Sequence, residues 1–177
     1  MAKRKGKLAA YERSFEDLLR KNEVLYLAID EAKRPKFRGG TVKNFDFVVI
    51  SFNGRFLIDV KGKKLRYGSN TAKPRFENWV KRDDVRGLTE WSSHFNGFTP
   101  LLLFVYEIKE PSDRELFTDV SSVSGVEYGL VAVELSAYYT SAVERSAGFD
   151  AVDVRQERFK EISRPLSDFV PEVRRNW

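Results

Sequence analysis

The chain has no cysteine, one histidine and one methionine among its 177 residues. Without cysteine there is no disulfide and no thiol nucleophile, and a single histidine gives no basis for a zinc site of the usual His/Cys kind. Long apolar runs are missing too: none approaches the ~18 residues needed to cross a membrane. The opening stretch MAKRKGKLAAYERSFED is charged and lacks the apolar centre of a secretory signal, so a cytoplasmic protein is expected. There is no internal repeat and no low-complexity segment beyond the short basic head.

Charge is plentiful and unevenly placed. Residues 1–82 hold 21 Lys and Arg against 9 Asp and Glu, a balance of +12, while residues 83–177 hold 10 against 17, a balance of −7; together they give the net +5. Basic clusters at Lys3 to Lys5, Lys33 to Arg38, Lys61 to Arg66 and Lys73 to Arg82 form an electrostatic footprint suited to a polyanion, most simply nucleic acid. Lys33, Arg34, Lys36, Arg38, Lys43, Lys63, Lys64, Arg66, Lys81 and Arg82 are the expected contacts. For the N-terminal head alone, solubility explains the charge equally well.

The length suits one domain with a real core. Residues 1–7 are expected to be a flexible basic head, 8–156 the α/β domain, and 157–177 a C-terminal extension packed on it or trailing from it. LAAYERSFEDLLRKN (8–22) has helical spacing, and Glu12 falls on its apolar stripe with Leu8, Phe15 and Leu19, where a carboxylate is costly unless paired or metal-bound. Glu16 lies near the edge of the stripe. VLYLAI (24–29) reads as a buried strand. Asp83 or Asp84 is expected to cap a helix reaching about Asn96, with Leu88, Trp91 and Phe95 on one side. PLLLFVYEIK (100–109) is continuous enough to be buried on both faces, and EYGLVAVEL and AVDVR read as further strands. Helix, three strands, helix, strand predicts an α/β sandwich with helices on both sides of a mixed sheet.

The most informative stretch is NFDFVVISFNGRFLIDVKGKK (44–64). Asn53-Gly54 between apolar runs is a strong hairpin signal. With those two residues at the centre of the turn, Asp46 faces Lys61 and lies diagonal to Asp59, all on one face, while Phe45, Phe47, Val49, Phe56, Ile58 and Val60 line the other. An ion pair on a solvated face is the simple reading. Val48, Ile50 and Leu57 make that face half apolar, however, and two partly covered carboxylates repel unless a cation joins them, which suits a hard divalent metal with oxygen ligands. His94 reads as structural. Trp79 and Trp91 suit core packing better than stacking on bases.

A helical Glu followed by Asp-x12-Asp-x-Lys across a hairpin resembles the PD-(D/E)XK nuclease superfamily, the archaeal Holliday junction resolvases in particular. The likeness includes ER-x-F-x-x-LL-x-K from Glu12 and the Asp-Val-Lys triplet at 59–61. More narrowly, AYERSFE (10–16), Asp30-Glu31-Ala32-Lys33, FDFVV, DVKG and ENWVKRDDV (77–85) resemble the bacterial HYExAFE family, with Ala10 in place of its His and Ser14 in place of its Ala. The resemblance implies a restriction-endonuclease-like three-layer sandwich with an αβββαβ core and a nuclease acting on DNA rather than RNA. It implies Mg²⁺ or Mn²⁺ held by Asp46, Asp59, the Val60 carbonyl and Glu12 or Glu16, with Glu12, Asp46, Asp59 and Lys61 catalytic. It also implies a possible homodimer. A nuclease fold kept for binding DNA or protein without turnover is the alternative.

Overall fold

The computed structural model describes residues 2–30, 32–37, 40–69, 73–145 and 148–174, with side chains from residue 10 onward. Helix α1 (Ala2–Lys21) starts six residues before Leu8, so the basic head continues its backbone. It is followed by β1 (Leu25–Ala28), β2 (Phe47–Ser51), β3 (Gly54–Lys63), α2 (Arg82–His94) and β4 (Thr99–Glu107). That order is the expected αβββαβ core. The hairpin β5 (Asp119–Val123) and β6 (Val126–Glu134) comes next, then α3 (Leu135–Ser141), α4 (Gln156–Ile162) and the short β7 (Arg164–Pro165).

The main sheet runs β1-β2-β3-β4-β6-β5, and β7 adds to β6. All neighbours are antiparallel except β3 and β4, which pair in parallel from Phe56↔Thr99 to Lys63↔Tyr106. That parallel pair needs a crossover, and α2 supplies it. The sheet is mixed, with helices on both faces, and β4 is buried along nearly its whole length as its unbroken apolar sequence requires.

Side-chain alternation along β3 separates two cores. Phe56, Ile58 and Val60 pack under α1 with Phe15, Leu18 and Leu19, joined by Leu166, Val170 and Val173 from the C-terminal segment. Leu57 lies in the opposite core with Val85 and Leu88 of α2, Leu135 and Tyr138 of α3, and Phe159 of α4. Residues beyond 156 therefore contribute to both cores. A small sheet formed by Val80–Lys81, Ala151–Asp153 and Val143–Glu144 flanks α2, so AVDVR joins this sheet and not the main one.

Two expectations change. Strand β1 is an edge strand: Leu25 is 66% and Leu27 65% exposed, so VLYLAI is not a buried strand. The hairpin also pairs Ser51↔Gly54, Ile50↔Arg55 and Val48↔Leu57, two residues away from the expected register. Phe52 and Asn53 occupy the turn with negative φ, and Gly54 takes the positive value (152°). The C-terminal segment holds this arrangement. The Glu172 carboxylate accepts hydrogen bonds from Ser51 Oγ (2.7 Å) and the Phe52 N–H (2.8 Å), and Asn53 Nδ2 donates to the Asp168 carbonyl (3.1 Å). A shift of two keeps every side chain on its expected face, but it changes which residues meet. Continuing the register one step beyond Phe47↔Ile58 sets Asp46 opposite Asp59, not opposite Lys61.

Candidate active site

Strand β3 delivers Asp59, Lys61 and Lys63 to the face covered by α2, and all three are buried. The Lys61 ammonium lies 2.8 Å from Asp59 Oδ2 and 2.9 Å from Asp84 Oδ2. Burial opposes its charge, but Asp59, then Asp84 and Asp46, outweigh that and hold its pKa above the ordinary lysine value. Asp46 Oδ2 accepts the Val60 N–H at 2.6 Å, which fixes its carboxylate at the start of β2 against the middle of the Asp-Val-Lys triplet.

Asp84 is the residue that sequence reasoning missed. As a possible helix cap it would stand at the helix start, but Lys81 holds the N-cap position of α2 and Asp84 lies inside the first turn, buried. Its second oxygen pairs with Lys43, so one carboxylate joins two lysines. Burial raises its pKa, and Lys61 and Lys43 more than reverse this, leaving it below the usual carboxylate value. The signal lies in the spacing: Asp84 sits one turn before Leu88 and two before Trp91, an acid on an apolar stripe, as Glu12 is.

Two glycines set the geometry. Gly87 lets the Lys43 backbone lie directly on α2, where an added methyl would overlap the Lys43 carbonyl, and Trp91 Nε1 donates to that carbonyl at 3.1 Å. Lys43 is thereby docked with its side chain toward Asp84. At Gly62 an added methyl would overlap the Tyr11 ring, so α1 can pack directly on the residue after Lys61. Glu12, the next residue of α1, is half-buried. Glu16 is engaged elsewhere: its Oε1 accepts from Tyr26 Oη (2.9 Å) and Arg20 (3.1 Å).

The expected nucleic-acid contacts divide. Lys33, Arg34, Lys36, Lys64, Arg66, Lys81 and Arg82 are exposed. Arg38 lies outside the described residues. Lys43 is largely covered, by Asp84. Lys63 departs from the expectation: it is 5% exposed, with its Nζ 3.2 Å from the centroid of the Trp79 ring. Burial, with Lys61 adding repulsion, pushes the Lys63 ammonium down to about 7. Trp79 is held in turn by a hydrogen bond from its Nε1 to Glu77 Oε1 (2.9 Å). His94 is an exposed residue of α2 beside Glu90, outside this cluster.

Two carboxylates lie close together beside Lys61. Asp46 and Asp59 come from facing positions, and Asp59 Oδ1 is buried and accepts no hydrogen bond among the described residues. Asp119 Oδ1 is in the same condition, but its carboxylate is held by the neutral Ser167 N–H and Oγ and is paired with no lysine among the described residues. No group of three His, Cys, Asp or Glu among the described residues is already arranged as a metal cage. No helix of the described residues is long and apolar enough to cross a membrane.

No family model and no curated protein sequence matches the chain. Among solved structures, Hjc of Archaeoglobus fulgidus, a Holliday junction resolvase from an archaeal hyperthermophile, is similar at 12% identity with a TM-score of 0.53, over 90% of this chain and 97% of that one. The shared architecture is the restriction-endonuclease-like fold, a mixed central sheet flanked by helices.

Proposed function

We propose that this chain is a divalent-metal-dependent nuclease of the PD-(D/E)XK type that hydrolyses phosphodiester bonds in DNA. The observation that carries the reading is the buried Asp59–Lys61 pair beside Asp46, on a resolvase-like fold, with one Asp59 oxygen uncommitted. Asp46, Asp59, the Val60 carbonyl and Glu12 would hold Mg²⁺ or Mn²⁺; Glu16, bonded to Tyr26 and Arg20, is left out of this set. The cation, when bound, lowers the pKa of a coordinated water and stabilises charge on the scissile phosphate.

The protein residues do the remaining work. Asp59 fixes the Lys61 ammonium, whose raised pKa keeps it charged beside a phosphate at neutral pH. Lys61 orients the attacking water or neutralises the negative charge that develops on the phosphate. Asp84 is a positioning residue that holds Lys61 from the α2 side and ties it to Lys43. The exposed basic residues Lys33, Arg34, Lys36, Lys64, Arg66, Lys81 and Arg82, with Lys43 at the rim, meet the DNA backbone. Within the superfamily, the AYERSFE and ENWVKRDDV segments favour the HYExAFE group, with a cytoplasmic setting and a homodimer as the assembly.

The purified protein should nick or cut DNA with Mg²⁺ or Mn²⁺, lose that activity in EDTA, and lose at least about a thousandfold of it in Asp59→Ala and in Lys61→Ala, because the groups act as a unit. Cutting that survives both substitutions overturns the assignment. A nuclease fold kept for binding is the second reading, favoured by the way Asp59 and Asp84 together occupy the Lys61 ammonium. It predicts DNA binding with no cleavage by the wild type in either metal.

A further inference from the structure

On the other side of the α2 first turn from Asp84 lies a groove of 1280 Å³, lined by residues of α2, α3 and the small sheet. It is larger than the ~300–1,000 Å³ of an ordinary small-molecule site, which suits a stretch of polymer. Two of its aromatic rings face solvent, Tyr139 at 69% and Phe149 at 63% exposure. Single exposed aromatics are common; here two line the same groove and a cation connects one of them, Phe149, to a third. The Arg145 guanidinium lies 5.6 Å from the Phe149 ring and 5.5 Å from the ring of Trp79, whose other contact is Lys63. Trp79 thus stands between the groove and the strand that bears Lys61.

The charged residues that line the groove are of both signs, Lys81, Arg82 and Arg86 with Asp83, Glu90, Glu144 and Asp150. Glu144 and Asp150 pair with Arg82, and Asp83 with Arg86. Lys81 and Arg145 have no carboxylate partner among the described residues. Aromatic faces stack on bases, carboxylates accept from base amino groups, and unpaired cations meet phosphates.

We infer that this groove binds unpaired nucleotides of a DNA strand that runs past the catalytic carboxylates, stacking their bases on Tyr139 and Phe149. The substrate class is then DNA with a single-stranded arm next to duplex, such as a fork or flap. This rests on the nuclease reading above.

The test is binding, in EDTA, of a forked duplex and of a blunt duplex with the same paired sequence, with 2-aminopurine in the unpaired arm. The wild type should bind the fork at least about tenfold more tightly, and the probe's emission should fall as it stacks. Tyr139→Ala/Phe149→Ala, with its melting temperature checked, should bring the ratio of the two affinities close to one and abolish the quenching. Equal affinities for the wild type, as expected if the groove seats a protein, would overturn the inference, as would a ratio unchanged in the folded double variant. The nuclease reading fails separately: a preference for forks with no cleavage in Mg²⁺ or Mn²⁺ removes the enzyme and keeps the groove. Cleavage with no preference for forks does the reverse.

Discussion

The two faces of the central sheet use the same strands and bury different things. Under α1, β3 presents Phe56, Ile58 and Val60 to Phe15, Leu18 and Leu19, and the buried carboxylates of that side meet neutral donors, Asp119 Oδ2 those of Ser167 and Glu172 those of Ser51 and Phe52. Under α2, the same strand presents Asp59, Lys61 and Lys63, and α2 adds Asp84, which binds Lys43. Neutral donors suffice to hold a chain segment in place. Buried ion pairs are a poor way to gain stability, because desolvation offsets most of the attraction. Their concentration on one face is what the proposed nuclease site would account for.

Breaking the pairs should have the largest effect. Asp84→Ala leaves the Lys61 and Lys43 ammoniums short of an acceptor and should cost about 3–5 kcal/mol in denaturant melts. Asp119→Ala, which strands only neutral donors, should cost about 1–3 kcal/mol. Equal costs would mean that the two carboxylates have the same structural role and that the contrast between the faces is mistaken.

Lys63 sharpens the contrast through pH. Its folded pKa, about 7, is depressed below the ordinary lysine value of 10.5, first by burial and then by Lys61. The unfolded chain therefore binds more protons between these values, and stability rises with pH across that window. The penalty is greatest at and below pH 7. Lys63→Met removes it while keeping an apolar side chain over Trp79, and should melt above the wild type at pH 6–7, by on the order of a few kcal/mol, with the gap closing towards pH 9.5. Burial of Tyr106 and Tyr138 raises their pKa values, so pH above about 10 brings a separate loss. A gap that does not vary with pH would mean that Lys63 stays charged in the fold.

The smallest effect belongs to the exposed lysines and arginines. Neutralising Lys64 and Arg66 together should reduce the slope of log affinity against log salt by about 2, at ~0.9 per duplex phosphate contact, with little change in stability. An unchanged slope would move the DNA-binding surface elsewhere.

Most of the fold was legible from the sequence because its elements are strongly patterned. The helical stripe of α1, the unbroken apolar run of β4 and the alternation across β2 and β3 each specify one structure. The face on which Asp46, Asp59 and Lys61 lie was legible for the same reason, and a register slip of two leaves it intact. The partners of those residues were not. Ser51, Phe52 and Asn53 are held by Glu172 and Asp168, more than a hundred residues away, and no local turn rule contains that contact. The pairing of Lys61 with Asp84 depends likewise on where the crossover helix lands, which Gly87 and Trp91 set through the Lys43 backbone. Lys63 is buried while Lys64 is exposed because a basic cluster in sequence alternates between inside and outside along a strand.

The carboxylates of Asp46 and Asp59 are expected to form a cation site. Titration of Mn²⁺ by calorimetry into the wild type and into Asp59→Asn, which keeps the size of the side chain and leaves Lys61 paired with Asp84, tests it without DNA or turnover. The wild type should show one saturable binding event, and the variant should bind at least about tenfold more weakly, since it loses a charged oxygen ligand. Equal affinities in the two proteins, or no binding in the wild type, would contradict the account.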